Sequence, residues 1–362
     1  MKNNYMDIML DFKYNLEKNK LYLFGAGQTC HDYLKLFPFK SNVVCIFDND
    51  DRKHGIFVDE IPVFSATLLD EIDYAHSMFL ITTYYANEIY QRLRMMGIKN
   101  IYHFMEVAFN QQAWVKHVYL PADELNLLSA KKLLADAQSC DVLNKIIDIR
   151  KGSGVFWGYD YDYDAYFSKD ILKLSTREVF VDGGAFNGDT IRQFMQHTDN
   201  SYKQIFAFEP DKINYEKLKF DLEENSKIIT INAGLWSQSG QARFCENGTS
   251  SLIDENGSAT INVVSIDEQM EIYSGKPSFI KLDIEGAEVP ALAGASKVIR
   301  KYKPKLAIAI YHKRDDLWRI PCIVKKMVPE YRLFIRHHSF AMDDTVLYAV
   351  PPLSNGDEID EC

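Results

Sequence analysis

The sequence has 362 residues, long enough for two domains that each bury a core, and its 47% hydrophobic and 25% charged content is that of a soluble globular protein. A net charge of -10 with no basic stripe argues against a nucleic-acid partner, which would need a basic face. No apolar run approaches the roughly 18 residues of a membrane span. Met1 to Asp11 lack the apolar centre of a signal peptide, and the six scattered cysteines include no C-x-x-C pair. No membrane span, no zinc site, no disulfide framework and a cytoplasmic setting are therefore expected.

Residues 1 to 20 read as a helix with Ile8, Met9, Phe12 and Leu16 on one face, a lid over the domain that follows. Leu21 to Phe24 is a strand leading into Gly25, Ala26 and Gly27, then a helix carrying Tyr33, Leu34 and Phe37. Val43 to Phe47 is the next strand and ends at Asp48, which stands to the glycines as a ribose-binding acid stands to a dinucleotide turn. Met78 to Ile81, a helix from Tyr85 to Met96 stopped by Gly97, and Ile101 to Phe104 complete a small doubly wound Rossmann-like domain over residues 1–107. Two readings stay open. One is a nucleotide or nucleotide-sugar pocket with Gly25 and Gly27 near the pyrophosphate and Asp48 near a ribose; the other is a degenerate domain kept for packing. Cys30 stands where a dinucleotide fingerprint wants its third glycine, which argues against NAD.

Residues 108–172 read as a helical connector, with Leu125, Leu128, Leu133, Leu134, Val142, Ile146 and Ile149 at helical spacing and little proline or glycine. Lys151 to Gly154 break the pattern. The tyrosine-rich Y-D-Y-D-A-Y-F (161–167) reads either as a cover over a bound ligand or as packing between domains.

Residues 173–352 make a second α/β domain. Val179 to Val181 form a strand buried on both faces, ending in Asp182 and a glycine turn at Gly183, Gly184 and Gly188. Ile191, Phe194 and Met195 then share a helical face, and Thr190 with Gln193 fits a capping box. Ile205 to Phe208 is a second strand closed by Glu209, Pro210 and Asp211; the Glu209 carboxylate can accept both hydroxyl protons of a ribose. A helix through Tyr215, Leu218 and Leu222 leads to a third strand, Ile228 to Ile231, and a loop from Asn232 to Gly240. Arg243 to Glu246 and Thr260 to Val264 make a β-excursion around N-G-T-S-S (247–251). Phe279 to Leu282 is a fourth strand with Asp283, Glu285 and Glu288 crowded at its end, Glu288 reading as a helix cap. Leu306 to Ile310 is a fifth, followed by Tyr311 and His312. Tyr331 to Ile335, followed by His337 and His338, and Thr345 to Ala349 close the sheet as an antiparallel pair, and residues 353–362 are an acidic tail.

Five blocks in order carry a resemblance: V-D-G-G-A-F-N-G-D-T (181–190), F-A-F-E-P-D (206–211), F-I-K-L-D-I-E-G-A-E (279–288), K-P-K-L-A-I-A-I-Y-H (303–312) and D-T-V-L-Y-A (344–349). Together they resemble the FkbM family of S-adenosylmethionine-dependent methyltransferases over roughly residues 165–350. The N-terminal unit is similar to the Rossmann-like, nucleotide-sugar-binding domain that precedes some bacterial sugar acyltransferases.

The resemblance implies a class I methyltransferase sheet with an antiparallel last strand and S-adenosylmethionine as donor. The expected donor-binding set is Asp182, Gly183, Gly184, Ala185, Asn187, Gly188, Asp189, Thr190, Glu209, Pro210, Ala233, Leu235 and Asp283, with Ala233 and Leu235 near the adenine. The acceptor is a small molecule or glycan, O-methylated on a hydroxyl of a sugar or related metabolite. Catalytic candidates are His312, Asp283 and Glu285; His312 or Asp283 takes the acceptor's proton, His312 being preferred because its ordinary pKa lies near working pH. No metal is assigned, and the alternative use of Asp283, Glu285 and His312 is to bind a divalent metal. Two rival functions remain: an NAD(P)- or nucleotide-sugar-binding protein built on Gly25 and Asp48, and a non-catalytic sugar-binding or assembly protein.

Overall fold

The computed structural model of the chain describes residues 5–83, 86–105, 107, 117–151, 164–245, 252–253, 257–339 and 342–352. The chain divides into two compact units: Met1–Tyr119 with Asn144–Tyr161 and Ser339–Met342, and Leu120–Leu143 with Asp162–His338 and Asp343–Cys362.

In the first unit α1 (Tyr5–Leu16) precedes β1 (Lys20–Phe24), α2 (Gln28–Leu36), β2 (Val43–Asp48), β3 (Phe57–Val58), β4 (Ile61–Ser65), β5 (Ser77–Ile81), α3 (Ala86–Met95) and β6 (Asn100–His103). The six-stranded sheet runs β3-β4-β2-β1-β5-β6, parallel except for the β3–β4 hairpin. β5 is buried along its whole length, which is why its sequence S-M-F-L-I carries no polar alternation. The first helix is more than a cover: Phe12 is fully buried, edge-on to Phe37 and Tyr102, so α1 belongs to the core of this unit. The β3–β4 hairpin is not anticipated from sequence, because β3 is two residues long and Pro62 interrupts the signal of β4.

The second unit contains α4 (Glu124–Lys131) and the first half of α5 (Ala137–Arg150), whose second half belongs to the first unit. The connector expected over 108–172 is thus shared between the two units. The remaining elements are β7 (Val179–Gly183), α6 (Asp189–His197), β8 (Gln204–Phe208), α7 (Lys212–Leu222), β9 (Ile228–Ile231), β10 (Gly234–Leu235), β11 (Gly240–Cys245), β12 (Leu252–Ile253), β13 (Ala259–Val264), α8 (Ile266–Ile272), β14 (Phe279–Leu282), α9 (Glu288–Gly294), α10 (Ser296–Tyr302), β15 (Lys305–Ala309), α11 (Asp316–Met327), β16 (Arg332–His337) and β17 (Thr345–Val350). The main sheet has seven strands in the order β16-β17-β15-β14-β7-β8-β9, all parallel except β17, which is antiparallel to both neighbours. This is the α/β architecture expected, antiparallel last strand included.

Stacked rings hold the centre of that sheet: Phe180 lies 4.4 Å from Phe194 and 5.0 Å from Phe279, its register partner on β14. Such pairs contribute about 0.5–1.5 kcal/mol beyond their buried area. Phe194 comes from α6, so one cluster fixes the helix that follows the glycine turn to the strand that precedes it.

Two local expectations change. α6 starts at Asp189 with Gly188 as N-cap, and the Thr190–Gln193 capping box does not form, since Asp189 in the first turn already accepts the Thr190 N–H at 2.8 Å. The loop from Asn232 contains the two-residue strand β10, paired in parallel with β13. That pair joins a four-stranded sheet, β10-β13-β11-β12, which realises the β-excursion. Tyr85, residues 152–154 and 161–163, N-G-T-S-S (247–251) and the tail 353–362 lie outside the described residues.

Candidate active site

Four neighbouring parallel strands of the second unit, β15-β14-β7-β8, end on one edge of the sheet. Beyond those ends stand His312, Asp283, the Gly183–Gly184 turn and Glu209 respectively, where ligands of open parallel sheets bind. Gly184 has φ +77°, and a Cβ added to it would lie 1.9 Å from the Asp283 carbonyl oxygen. Only glycine lets the two backbones approach this closely. Gly188 starts α6 in the left-handed region, φ +83°.

Glu209 is 6% exposed. Its Oε2 accepts the Phe186 N–H and its Oε1 the Asp211 N–H, both at 2.8 Å. Burial drives its carboxyl up to about 7, against the pull of those two N–H groups. A lone pair on each oxygen stays available for a ligand donor.

Asp182 is fully buried opposite Lys281 in the β7–β14 register, with Nζ 3.0 Å from Oδ1. The Lys281 ammonium, also buried, donates as well to the carbonyls of Gly183 (3.1 Å) and Gly184 (2.8 Å). Asp182 Oδ1 is thus held by the Lys281 charge, and Oδ2 has no hydrogen-bond partner among the described residues. Burial raises this carboxyl to about 6, and the Lys281 charge limits the rise.

Asp283 accepts the Tyr311 hydroxyl at 3.1 Å. Burial would raise its carboxyl, but Lys281 and His312, with the Tyr166 and Tyr311 hydroxyls, hold it below the usual range. His312 is 3% exposed at its side chain; its Nδ1 lies 2.9 Å from Glu288 Oε1, and its Nε2 lies 3.4 Å from Asp283 Oδ1 and 3.5 Å from Glu285 Oε2. Burial works against the imidazolium, yet the Glu288 hydrogen bond and the three carboxylates together lift its pKa to about 9. The ordinary value that recommends His312 as a base near pH 7 does not survive these surroundings. Glu288, which the sequence suggests as a helix cap, accepts the Ile284 N–H (3.0 Å) and Gly286 N–H (3.3 Å) through the same oxygen that orients His312.

The other expected residues are distributed as follows. Ala185 is buried beneath the turn, Asn187 accepts from Arg192 at 3.2 Å, and Thr190 is buried in α6. Pro210 follows Glu209 with its carbonyl 3.2 Å from Asn232 Nδ2. Ala233 and Leu235 are buried, and a Cβ on Gly183 would meet the Leu235 methyl at 2.7 Å, so Leu235 supports the turn from below. His337 and His338, the other histidines near the sheet edge, are hydrogen-bonded to Thr345 (2.9 Å) and Tyr348 (2.8 Å). The sequence alone does not single out Lys281, whose signal is a cation inside a strand that is otherwise apolar on both faces; it places Tyr311 at a strand end and Tyr166 in the tyrosine-rich segment, without assigning either to Asp283.

The first unit repeats part of this plan. Asp48 Oδ2 accepts the Ala26 N–H (2.7 Å) and Oδ1 the Asp50 N–H (2.8 Å), as Glu209 accepts from its glycine turn and from the residue two positions on. Gly25 turns at φ +107°, and Gly27 caps α2. Unlike Glu209, Asp48 also pairs with Lys53 at 3.1 Å; burial would raise its carboxyl, but these partners hold it below the ordinary range.

Residues 182–342 match the family described as Methyltransferase FkbM domain. The hexuronic acid methyltransferase AglP of Haloferax volcanii is 36% identical over 142 residues, which cover 36% of this chain and 54% of that protein. The chain thus spans about half the length of this curated relative. The crystal structure of the methyltransferase FkbM from Methylobacillus flagellatus shares the fold, with a TM-score of 0.61 and 22% identity, over 95% of this chain and 100% of that one. The reading as an NAD(P)-binding protein without a methyltransferase is not favoured, since the match falls on the second unit. Over residues 182–342 the chain carries an FkbM methyltransferase domain.

Proposed function

We propose that the chain moves a methyl group from S-adenosylmethionine to a hydroxyl oxygen of a sugar or glycan. The observation that carries this reading is Glu209, a buried strand-end carboxylate braced by two backbone N–H groups, with acceptor capacity left for the two hydroxyls of a ribose. Two further features fit the donor. Gly184 lets the turn lie against the end of β14 at the strand edge where a donor would bind, and Lys281, paired with the buried Asp182, fastens that turn through its carbonyls.

The bound donor supplies a methyl carbon already activated by its sulfonium, so that C–O formation accompanies C–S cleavage and the electron pair remains on sulfur. The residues of the chain align and exclude water. Asp283, ionised below the usual carboxylate range, stands ready to take the hydroxyl proton. His312, held protonated by Glu288, steadies Asp283 in that state rather than acting as the base. The relative described as a hexuronic acid methyltransferase supports sugars bearing hexuronic acids as the first acceptors to try. A cytoplasmic setting suits this chemistry and the free cysteines found among the described residues. No helix among those residues is long and apolar enough to cross a membrane.

The test offers methyl-labelled S-adenosylmethionine together with hexuronic-acid-containing glycans. Label passing to the sugar, and lost with Asp283→Asn, supports the proposal. Label that never leaves the donor with any sugar contradicts it.

A second reading concerns the first unit, where the Asp48 arrangement favours a nucleotide-sugar site with Gly25 and Gly27 near its phosphates. Calorimetry with nucleoside diphosphate sugars tests it. Binding abolished by Asp48→Ala supports this reading, and no heat at saturating ligand removes it.

A further inference from the structure

We propose that the cluster beyond the ends of β14 and β15 is a divalent-cation site, with Asp283, Glu285 and His312 Nε2 as ligands and Glu288 as the residue that orients the imidazole. The proposal rests on the methyl-transfer reading for its purpose but not for its geometry.

Spacing is the first ground. His312 Nε2 stands 3.4 Å from Asp283 Oδ1 and 3.5 Å from Glu285 Oε2. Donor atoms bound to one ion at about 2.1 Å lie roughly 3–3.5 Å from one another, so these separations match those around a metal. Asp283, Glu288 and His312 each present a ligand atom, all within 4.8 Å of one another.

Orientation is the second. Glu288 Oε1 lies 2.9 Å from His312 Nδ1, which would keep the proton on Nδ1 when a cation replaces the one on Nε2, the nitrogen that faces Asp283 and Glu285. A carboxylate behind the far nitrogen is the usual support of a metal-ligating histidine. Two backbone N–H groups, of Ile284 and Gly286, hold that same Glu288 oxygen in place.

An orphaned group is the third. Glu288 is fully buried, yet its Oε2 has no hydrogen-bond partner among the described residues. In the ion-free site the His312 imidazolium is the positive charge that shares this space with three carboxylates, and a divalent cation would take the place of its Nε2 proton and balance them more fully. Lys281, a buried ammonium on β14, is already committed to Asp182 and to the two glycine carbonyls.

Two carboxylates and one imidazole suit manganese, iron or zinc better than calcium, which takes more oxygen ligands. Three protein ligands leave coordination positions open. Adjacent hydroxyls of a sugar can fill them, so the cation would both orient the acceptor and ease ionisation of the hydroxyl to be methylated. The acceptor class is thereby narrowed to a vicinal diol or a hydroxy acid.

The experiment uses the full chain, stripped with a chelator, and follows free Mn²⁺ by electron paramagnetic resonance during titration. Saturable binding of one ion by the wild type is expected, weakened at least about tenfold by Glu285→Gln and by Asp283→Asn. Glu330→Gln, remote from the cluster, serves as control, and thermal melting confirms that each variant is folded. No saturable binding up to about 1 mM Mn²⁺ overturns the proposal, as does unchanged binding in both cluster variants. S-adenosylhomocysteine calorimetry on the same samples separates the two readings. Donor-product binding without Mn²⁺ binding removes the metal alone, and Mn²⁺ binding without donor-product binding supports the metal site while counting against methyl transfer.

Discussion

Lys281 and Asp182 face each other across β14 and β7, both shut off from water, with the ammonium 3.0 Å from the carboxylate. The cation's hydrogen bonds go to the Gly183 and Gly184 carbonyls, so one residue neutralises the buried acid and fastens the turn. Removing one member of such a pair leaves an unmatched buried charge. Lys281→Met should therefore cost about 3–5 kcal/mol in urea denaturation, and adding Asp182→Asn should recover much of it. A single variant within about 1 kcal/mol of wild type would show that the pair carries little of the fold's stability.

Gly184→Ala should be among the most damaging single changes in the second unit. The new methyl would sit 1.9 Å from the Asp283 carbonyl at φ +77°, so either the turn or the β14 end must move. A fall in melting temperature together with lost S-adenosylhomocysteine binding is expected. An alanine variant that melts and binds like wild type would mean that the turn is less tightly packed than the structure indicates.

Glu209 links pH to stability and to binding with opposite signs. Its carboxyl, raised by burial to about 7, holds a proton more tightly in the folded than in the unfolded chain. Its contribution therefore favours folding below the unfolded value and is lost as pH rises through about 7. Donor binding needs the carboxylate, so affinity for S-adenosylhomocysteine should rise from pH 6 to pH 8 while the ligand-free protein loses this contribution to its stability. Melting curves and calorimetry at a series of pH values check the pair of trends. If affinity stays flat across that range and also in Glu209→Gln, the residue does not contact the ligand.

Arg336 ties the start of α5 to the sheet. Its guanidinium reaches Asp136 at 2.7 Å, Asp170 at 2.6 Å and Ser139 at 3.0 Å while only 5% exposed. A lysine offers one point charge where a planar fork spans three partners. Arg336→Lys should cost about 2–4 kcal/mol, read by denaturant unfolding. A loss below about 0.5 kcal/mol would indicate that solvent replaces these bonds readily.

The framework of the site is legible in the sequence because strands buried on both faces leave unbroken apolar runs, and the acids that end them stand out. Asp182, Glu209 and Asp283 are each visible in this way, and the structure brings them to one edge. Lys281 is harder to read, because a lysine in a strand ordinarily marks a solvent face; only the register that sets it opposite Asp182 explains it. Glu288 resembles a helix cap in sequence, and its bond to His312 spans 24 positions, beyond any local pattern. β3, β10 and β12 are each two residues long, too short for an alternation to register.

The most direct measurement is calorimetric titration of S-adenosylhomocysteine into the wild-type chain and into Glu209→Ala. Saturable binding by the wild type, weakened at least about tenfold in the variant by loss of two charge-assisted hydrogen bonds, is the predicted result. Equal affinity in the two proteins, or no binding to either, would contradict the assignment of the second unit's sheet edge as the donor site.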